Sequence, residues 1–493
     1  MVNPSLYAAI DLGSNSFHML VVQQVEGAGR TLAKVKRKVR LAAGLQLDGS
    51  LDQAAMERGW DCLRLFAEQL QDVPAGQVRI VGTATLRLAT NIDVFLERAE
   101  AILGHPIRII SGEEEAATIY QGVAWTSSGT GRRLVIDIGG ASTELVIGEG
   151  ASAALLHSLN MGCVTWLHRH FPGGELSEAH FDRAIAAAQH ELAPVAARYL
   201  KLGWRHCIGA SGTVQAIQEI MMAQGENEQI TLAKLNRLKA RTIACGNIAG
   251  LHLPGLTPER VPVFASGLAI LIALFDTLAI DNMVLAGGAL REGLIYGMLG
   301  ARQDCDAQER TIDSLIARYQ LDRQQGERVR HTALAALKQL HPELDQEAAR
   351  MLARAAMLYE LGLCIEYKRA PEHAAYIIRH IDLPGFTAPQ KGLLAALLLN
   401  QRDDFRLEAL QAQCALDTSR AVLLARLLRL AIILCLRRTQ GTVPEFRLAQ
   451  QGTRLTLTLP AGWCSGHHLR ASELHAEARR QNELGWPLEI MEA

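Results

Sequence analysis

Two short stretches of this 493-residue chain each set a carboxylate at the mouth of a loop with almost no side-chain bulk. In AAIDLGSNSFHMLVV, Asp11 precedes Gly13, Ser14, Asn15 and Ser16. In LVIDIGGASTELVIG, Asp137 precedes Gly139, Gly140, Ala141, Ser142 and Thr143, and Glu144 follows. Each stretch reads as strand, tight turn, strand. A loop of this kind lets a ligand approach the backbone closely, and its N–H groups cradle a phosphate. Asp137 and Glu144, with Asp11, are placed to hold a divalent cation between protein and phosphate. For either stretch alone, a hairpin turn with its carboxylates in water is an equal reading.

The two stretches align. With Asp11 on Asp137, Ile10 falls on Ile136, Gly13 on Gly139 and Ser16 on Ser142, at an offset of 126 residues. That offset is too long for a solenoid repeat and suits a duplicated domain. Two such units predict two similar lobes closing on one phosphate chain.

Other segments carry compatible chemistry. GTATLR offers Thr83, Thr85 and Arg87, and an arginine suits bidentate contact with an oxyanion. GASGT sets Gly209, Ser211, Gly212 and Thr213 at a strand-to-helix junction, a third anion loop. LAGGALREGL gives a fourth glycine turn with Arg291 at the next helix start. TLAKVKRKVRL reads as a strand with Lys34, Lys36, Arg37, Lys38 and Arg40. A solvated charged face is the ordinary reading, but Arg37 and Arg40 are the residues expected to touch a polyanion. In ISGEEEA, Ser111 caps a helix, and one or two of Glu113, Glu114 and Glu115 offset its dipole. Three carboxylates at one helix start exceed that need.

The elements that must position these residues follow from periodicity. Leu6 to Ile10 and Phe17 to Val25 read as paired strands, and Leu51 to Leu70 as a helix. Val78 to Val81 and Ile107 to Ile110 read as further strands, and Ser127 to Arg132 as a hinge. After about residue 305 the glycine-rich α/β pattern gives way to Ala/Leu/Arg-rich helices from Thr311 to Leu436. A small hairpin over Phe446 to Leu448 and Leu455 to Leu459, then a polar tail, ends the reading. The expected division is 1–125, 126–305 and 306–493.

Composition narrows the function. Formal net charge is −1 and apolar residues are 49%, so any anion site is local, and neither nucleic acid nor membrane is an expected partner. Nine cysteines form no CxxC pair, which suits a reducing cytosol. MVNPSLYAAIDLG lacks a signal-peptide pattern, so a cytoplasmic setting is expected. Val263 to Ile280 carries Asp276, and Ala421 to Leu436 carries Arg426 and Arg429. Both read as buried or amphipathic helices rather than membrane spans.

The two loops, with ISGEEEA, GASGT and LAGGALREGL in that order, resemble the exopolyphosphatase and pppGpp-phosphatase family over Tyr7 to about Gly300. RKVRLAAGL looks most like its guanosine-pentaphosphate branch. The resemblance implies an α/β fold of two actin-like (ribonuclease H-like) lobes, followed by a mostly helical, HD-like region. It implies Mg²⁺ as cofactor, a homodimer, and Glu115 as the carboxylate that activates water; like charges beside it would raise its proton affinity. The implied reaction is pppGpp to ppGpp plus phosphate, with inorganic polyphosphate as alternative or second substrate. In the HD-like region Tyr359-Glu360 stands where His-Asp would hold metal, so that region is expected to be non-catalytic. The rival readings are a dedicated exopolyphosphatase, a kinase of the same superfold, and a sensor without turnover.

Overall fold

The computed structural model describes residues 5–25, 28–46, 48–127, 131–299, 306–340 and 346–493. The chain divides into two compact units, Met1–Ala307 and Gln308–Ala493. The boundary expected near 305 and the middle of the expected hinge, 128–130, lie outside the described residues.

The first unit is built on two five-stranded sheets. One holds β1 (Leu6–Leu12), β2 (Ser16–Val25), β3 (Ala28–Lys38), β4 (Val78–Gly82) and the two-residue β5 (Arg108–Ile109), in the order β3-β2-β1-β4-β5. The other holds β6 (Arg133–Ile138), β7 (Thr143–Glu149), β8 (Ser152–Leu159), β9 (His206–Gly209) and β10 (Val284–Leu285), in the order β10-β9-β6-β7-β8. Read from the hairpin side, these are one topology twice. In both, the first two strands pair antiparallel and the fourth joins the first in parallel. The registers match as well: Asp11 opposes His18, and Asp137 opposes Glu144. The 126-residue sequence repeat is therefore a repeat of fold, the actin-like pair of lobes.

Helices α1 (Gln53–Leu70), α2 (Ala84–Leu88) and α3 (Ile92–Leu103) follow the first sheet's strands. α1 begins two residues later than periodicity predicts, because the Asp52 carboxylate caps it by accepting from the Ala55 N–H at 2.6 Å. Phe17, Trp60, Phe66 and Phe95 close a core beneath that sheet. α4 (Gly112–Thr126) comes next. On the second sheet, α5 (Cys163–His170), α6 (Glu178–Leu202), α7 (Gly212–Ala223), α8 (Leu232–Ala244) and α9 (Val261–Leu278) share one core. α9 is long and apolar enough to cross a membrane, yet 78% of it is buried inside that core. α10 (Leu290–Leu299) completes the unit.

The lobes exchange one helix each. α4 packs on β6, β7 and β8, while α10 packs on β1 and β2. α4 and α10 also cross each other closely, with Gly122 against Ala289 and Gly293 against Thr118.

In the second unit, the helices Arg323–Leu340, Gln346–Leu358, Ala388–Leu399 and Thr418–Leu434 surround a leucine- and alanine-rich core. The expected hairpin forms as β11 (Arg447–Gln451) and β12 (Arg454–Leu459). The segment after the hairpin departs from expectation. The expected polar tail holds the helix His468–Glu483 and β13 (Leu488–Glu492), which pairs parallel to β12. Polar side chains on that helix are buried because they meet buried arginines: Glu477 binds Arg429, and Gln481 binds Arg426. At the expected HD position, Glu360 receives both Nη atoms of Arg438, at 2.6 and 2.9 Å, and the Tyr359 hydroxyl at 3.1 Å.

Candidate active site

Each lobe ties its glycine loop back through two consecutive carbonyls, at positions one residue apart in the repeat. The carbonyls of Ser14 and Asn15 accept from the N–H groups of Ala42 and Arg40, both at 2.9 Å. The carbonyls of Gly139 and Gly140 accept from Cys163 and Val164 at the start of α5, again at 2.9 Å. In a trans peptide the carbonyl and the next N–H point in opposite directions. Tethered carbonyls therefore turn the following N–H groups away from the tether, the orientation an approaching anion needs. Gly140 lies against Ser14 and Asn15, so the two loops face each other.

Four carboxylates gather at these loops. Asp11 and Asp137 end β1 and β6, Glu144 starts the body of β7, and Glu115 stands in the first turn of α4. Asp11 is pushed up to about 7, first by burial and then by the charge of Glu115, with Arg291 opposing. Asp137 is also pushed up to about 7, by burial and Glu115, with Arg260 and Arg291 opposing. Glu144 lies well above the usual carboxylate range for the same reasons, although Ser142 and Ser158 hydrogen-bond it. Asp11 Oδ1 is buried and, among the described residues, has no hydrogen-bond partner. Crowded carboxylates and an unpartnered oxygen suit a cation. No three His, Cys, Asp or Glu side chains among the described residues form a ready-made cage.

The row of glutamates separates. Ser111 and Glu114 form a reciprocal capping box, and Glu114 also pairs with Arg108. Glu113 is exposed. Glu115 is buried, and its Oε2 accepts from Arg87 at 2.8 Å. Burial raises its proton affinity against the pull of Arg87. The expected cause, like charge from its sequence neighbours, is thus replaced by desolvation, because consecutive helical side chains diverge by roughly 100°. Arg87, expected on phosphate, donates to Glu115 and to the Ile110 carbonyl. Thr83 and Thr85 are buried beside it.

Thr143 is fully buried, and its hydroxyl donates to the Met161 carbonyl rather than to the cleft. At the third loop, Ser211 Oγ accepts from the N–H groups of Thr213 and Val214, at 3.2 and 3.3 Å, so the helix start caps itself. Gly209 faces Val214 and Met283 in the core. What this loop presents is Arg260, whose guanidinium lies against Gly212. Arg37 shares the face of Val35 and Val39 toward α1, where its charge reaches Cys62. Strand alternation puts Lys36 on the opposite face, across from His18. The Lys36 ammonium is pushed down to about 8 by desolvation at the cleft mouth and by Arg260. Lys38 donates to the Glu259 carbonyl. Arg40 is exposed with φ 55°, and its backbone, more than its side chain, engages the first loop. Arg291 stands at the start of α10, and its charge is felt by both Asp11 and Asp137.

Sequence reasoning passed over His18, Lys36 and Arg260. His18 was within reach: it stands seven residues after Asp11, as Glu144 does after Asp137. Arg260 gave no local signal, since it precedes a buried apolar helix and meets the site only through tertiary packing.

The chain matches the Ppx/GppA phosphatase family over residues 20–302 and that family's domain III over residues 307–478. It is 65% identical over 496 residues to the guanosine-5'-triphosphate,3'-diphosphate pyrophosphatase of Aeromonas hydrophila, covering 100% of both chains. The protein of that name from Vibrio vulnificus is 54% identical over 491 residues, covering 99% of this chain and 98% of that one. Among solved structures, an exopolyphosphatase from Cytophaga hutchinsonii matches at TM-score 0.56 and 23% identity, over 61% of this chain and 100% of that chain. The Aquifex aeolicus PPX-GPPA enzyme matches at TM-score 0.51 and 22% identity, over 60% and 100%. Full-length identity of this order, over both matched regions, leaves one conclusion: the chain belongs to the Ppx/GppA phosphatase family.

Proposed function

We propose that this protein hydrolyses the terminal 5'-phosphate of guanosine pentaphosphate, giving ppGpp and phosphate, with inorganic polyphosphate as a second substrate. The observation that carries the reading is the joining of two things. Close relatives bear the pyrophosphatase name, and Glu115 is buried beside paired phosphate loops. Arg87 holds one Glu115 oxygen, which fixes the carboxylate and leaves the other to accept a proton from water. Its raised proton affinity makes it a better base near neutral pH. The N–H groups of both loops, with Arg291, Arg260 and Lys36, receive the phosphate oxygens and spread the developing charge. Mg²⁺ is the proposed cofactor, held near Asp11, Asp137 and Glu144. When bound, it offsets charge on the leaving phosphate. A homodimer and a cytoplasmic setting belong to the same proposal, and sedimentation and fractionation test them.

The deciding experiment compares phosphate release from pppGpp, GTP and long-chain polyphosphate under one set of conditions, with and without alcohol acceptors. Fastest release from pppGpp supports the reading. Preference for polyphosphate favours a dedicated exopolyphosphatase, transfer to acceptor a kinase, and binding without release a sensor.

A further inference from the structure

We infer that Ser14 and Gly140 form the steric stop that sets how closely the two lobes approach across the active site. The two residues are equivalents in the repeat, each three positions after its aspartate. The preceding pair, Gly13 and Gly139, behaves alike in both lobes. A Cβ at either would press on its own loop, at 2.8 Å from the Ser16 carbonyl oxygen or 3.0 Å from that of Ser142. Gly140 differs. A Cβ there would meet the other lobe, at 2.8 Å from Ser14 Cβ and 3.3 Å from the Asn15 nitrogen. Its backbone is not left-handed, so conformational freedom does not explain the glycine.

Two equivalent loops that face each other bring equivalent residues together. At the point of contact both cannot carry a side chain. One lobe supplies the knob, Ser14, and the other the hole, Gly140. The chemistry depends on the separation this contact fixes. Glu115 rides on α4, which packs on the second sheet, whereas Arg87 belongs to the first lobe, and they meet at 2.8 Å. Asp11 and Asp137 likewise come from opposite lobes. Gly140 and Ser14 are thus positioning residues, beyond any contact their loops make with phosphate.

The test is a set of variants: Gly140→Ala, Ser14→Gly and the double. Restoring ordinary 3.4 Å contact from 2.8 Å requires the lobes of Gly140→Ala to part by about half an ångström or more. Phosphate release should fall by about 10- to 100-fold in kcat, the scale of a small misplacement. Ser14→Gly costs the acceptor of the Thr85 N–H, at 3.3 Å, and serves as the control. The double variant should return to within about threefold of that control, and its crystal structure should show the original lobe spacing. A double-mutant cycle on melting temperature should show the same non-additivity. If Ser14→Gly does not relieve the Gly140→Ala defect, or if Gly140→Ala leaves spacing and turnover unchanged, the stop does not exist. The kinetic arm rests on the phosphatase reading. The spacing and melting arms do not, so a protein that releases no phosphate still decides the inference.

Discussion

Three consecutive glutamates at the start of α4 meet three different fates, and that divergence decides what each is worth. Glu115 is the one shielded from water and clamped by Arg87. Glu115→Gln should lower kcat by about 10²–10⁴-fold with KM nearly kept, the usual scale for loss of a general base. Glu113→Gln should leave both constants alone. Glu114→Gln removes the charge paired with Arg108 and weakens the cap, so it should lower the melting temperature and not kcat. Near-normal kcat in Glu115→Gln would remove it from the chemistry. Lys36 and Arg37 make a second contrast, since they point to opposite faces of one strand. Lys36→Gln should raise KM for pppGpp and polyphosphate severalfold, and Arg37→Gln should not; equal effects would contradict the assigned faces. The pH dependence follows from Asp11 and Asp137, both raised from 3.8 to about 7. Their folded forms hold protons more tightly than the unfolded chain does. Their contribution to stability is therefore complete below about pH 4 and is lost as pH rises through 7. Without divalent cation, the melting temperature should fall across that window from this source. Mg²⁺ favours the ionised carboxylates and should raise the melting temperature more at pH 8 than at pH 5. A Mg²⁺ effect that is flat in pH would place the ion elsewhere.

At the scale of elements, the doubled hairpin was legible because its signal is local: an aspartate, a glycine two residues on, and apolar strands at fixed spacing. The antiparallel pairing of the two arms came with it, whereas the order of the remaining strands did not. The faces of β3 were also within reach, because alternation of period two separates Lys34, Lys36 and Lys38 from Arg37. The exchange of α4 and α10 between sheets was not legible. Helical periodicity shows that a face is buried, not which sheet buries it. The exchange depends on backbone contact, since a Cβ on Gly122 would come within 1.9 Å of the Ala289 carbonyl oxygen, and one on Gly293 within 2.0 Å of that of Thr118. In an isolated helix Gly→Ala is favourable by about 1 kcal/mol. Here Gly122→Ala should instead destabilise by about 1–3 kcal/mol through overpacking, lowering the melting temperature. A rise in melting temperature would show that the crossing yields at little cost.

Across the whole molecule, near-neutral charge and a change of composition after residue 300 pointed to a local anion site and to a second, helical unit. What sequence hid in that unit is its polar interior. The helix that carries Arg429 read as buried or amphipathic without deciding where that arginine goes, and its side chain is 1% exposed. It binds both oxygens of Glu477, at 2.6 and 2.5 Å, and the carbonyls of Asn400 and Asp403, at 2.9 and 2.7 Å. Such a pair adds little beyond what apolar packing would supply, but breaking it strands a charge. Removal of one partner typically costs about 3–5 kcal/mol. Glu477 also ties the C-terminal helix His468–Glu483 to Thr418–Leu434, so the damage should stay within Gln308–Ala493. A chain of two compact units need not unfold in one step, so a single melting temperature is the wrong measure. Calorimetry of Glu477→Ala should show one transition lowered by about 10 °C, the shift that such a loss produces in a unit of this size. The other transition, carrying both phosphate loops, should stay in place, and Mg²⁺ should raise only that one. If both transitions move together in Glu477→Ala, the chain unfolds as one cooperative body and the stranded charge is felt at the active site.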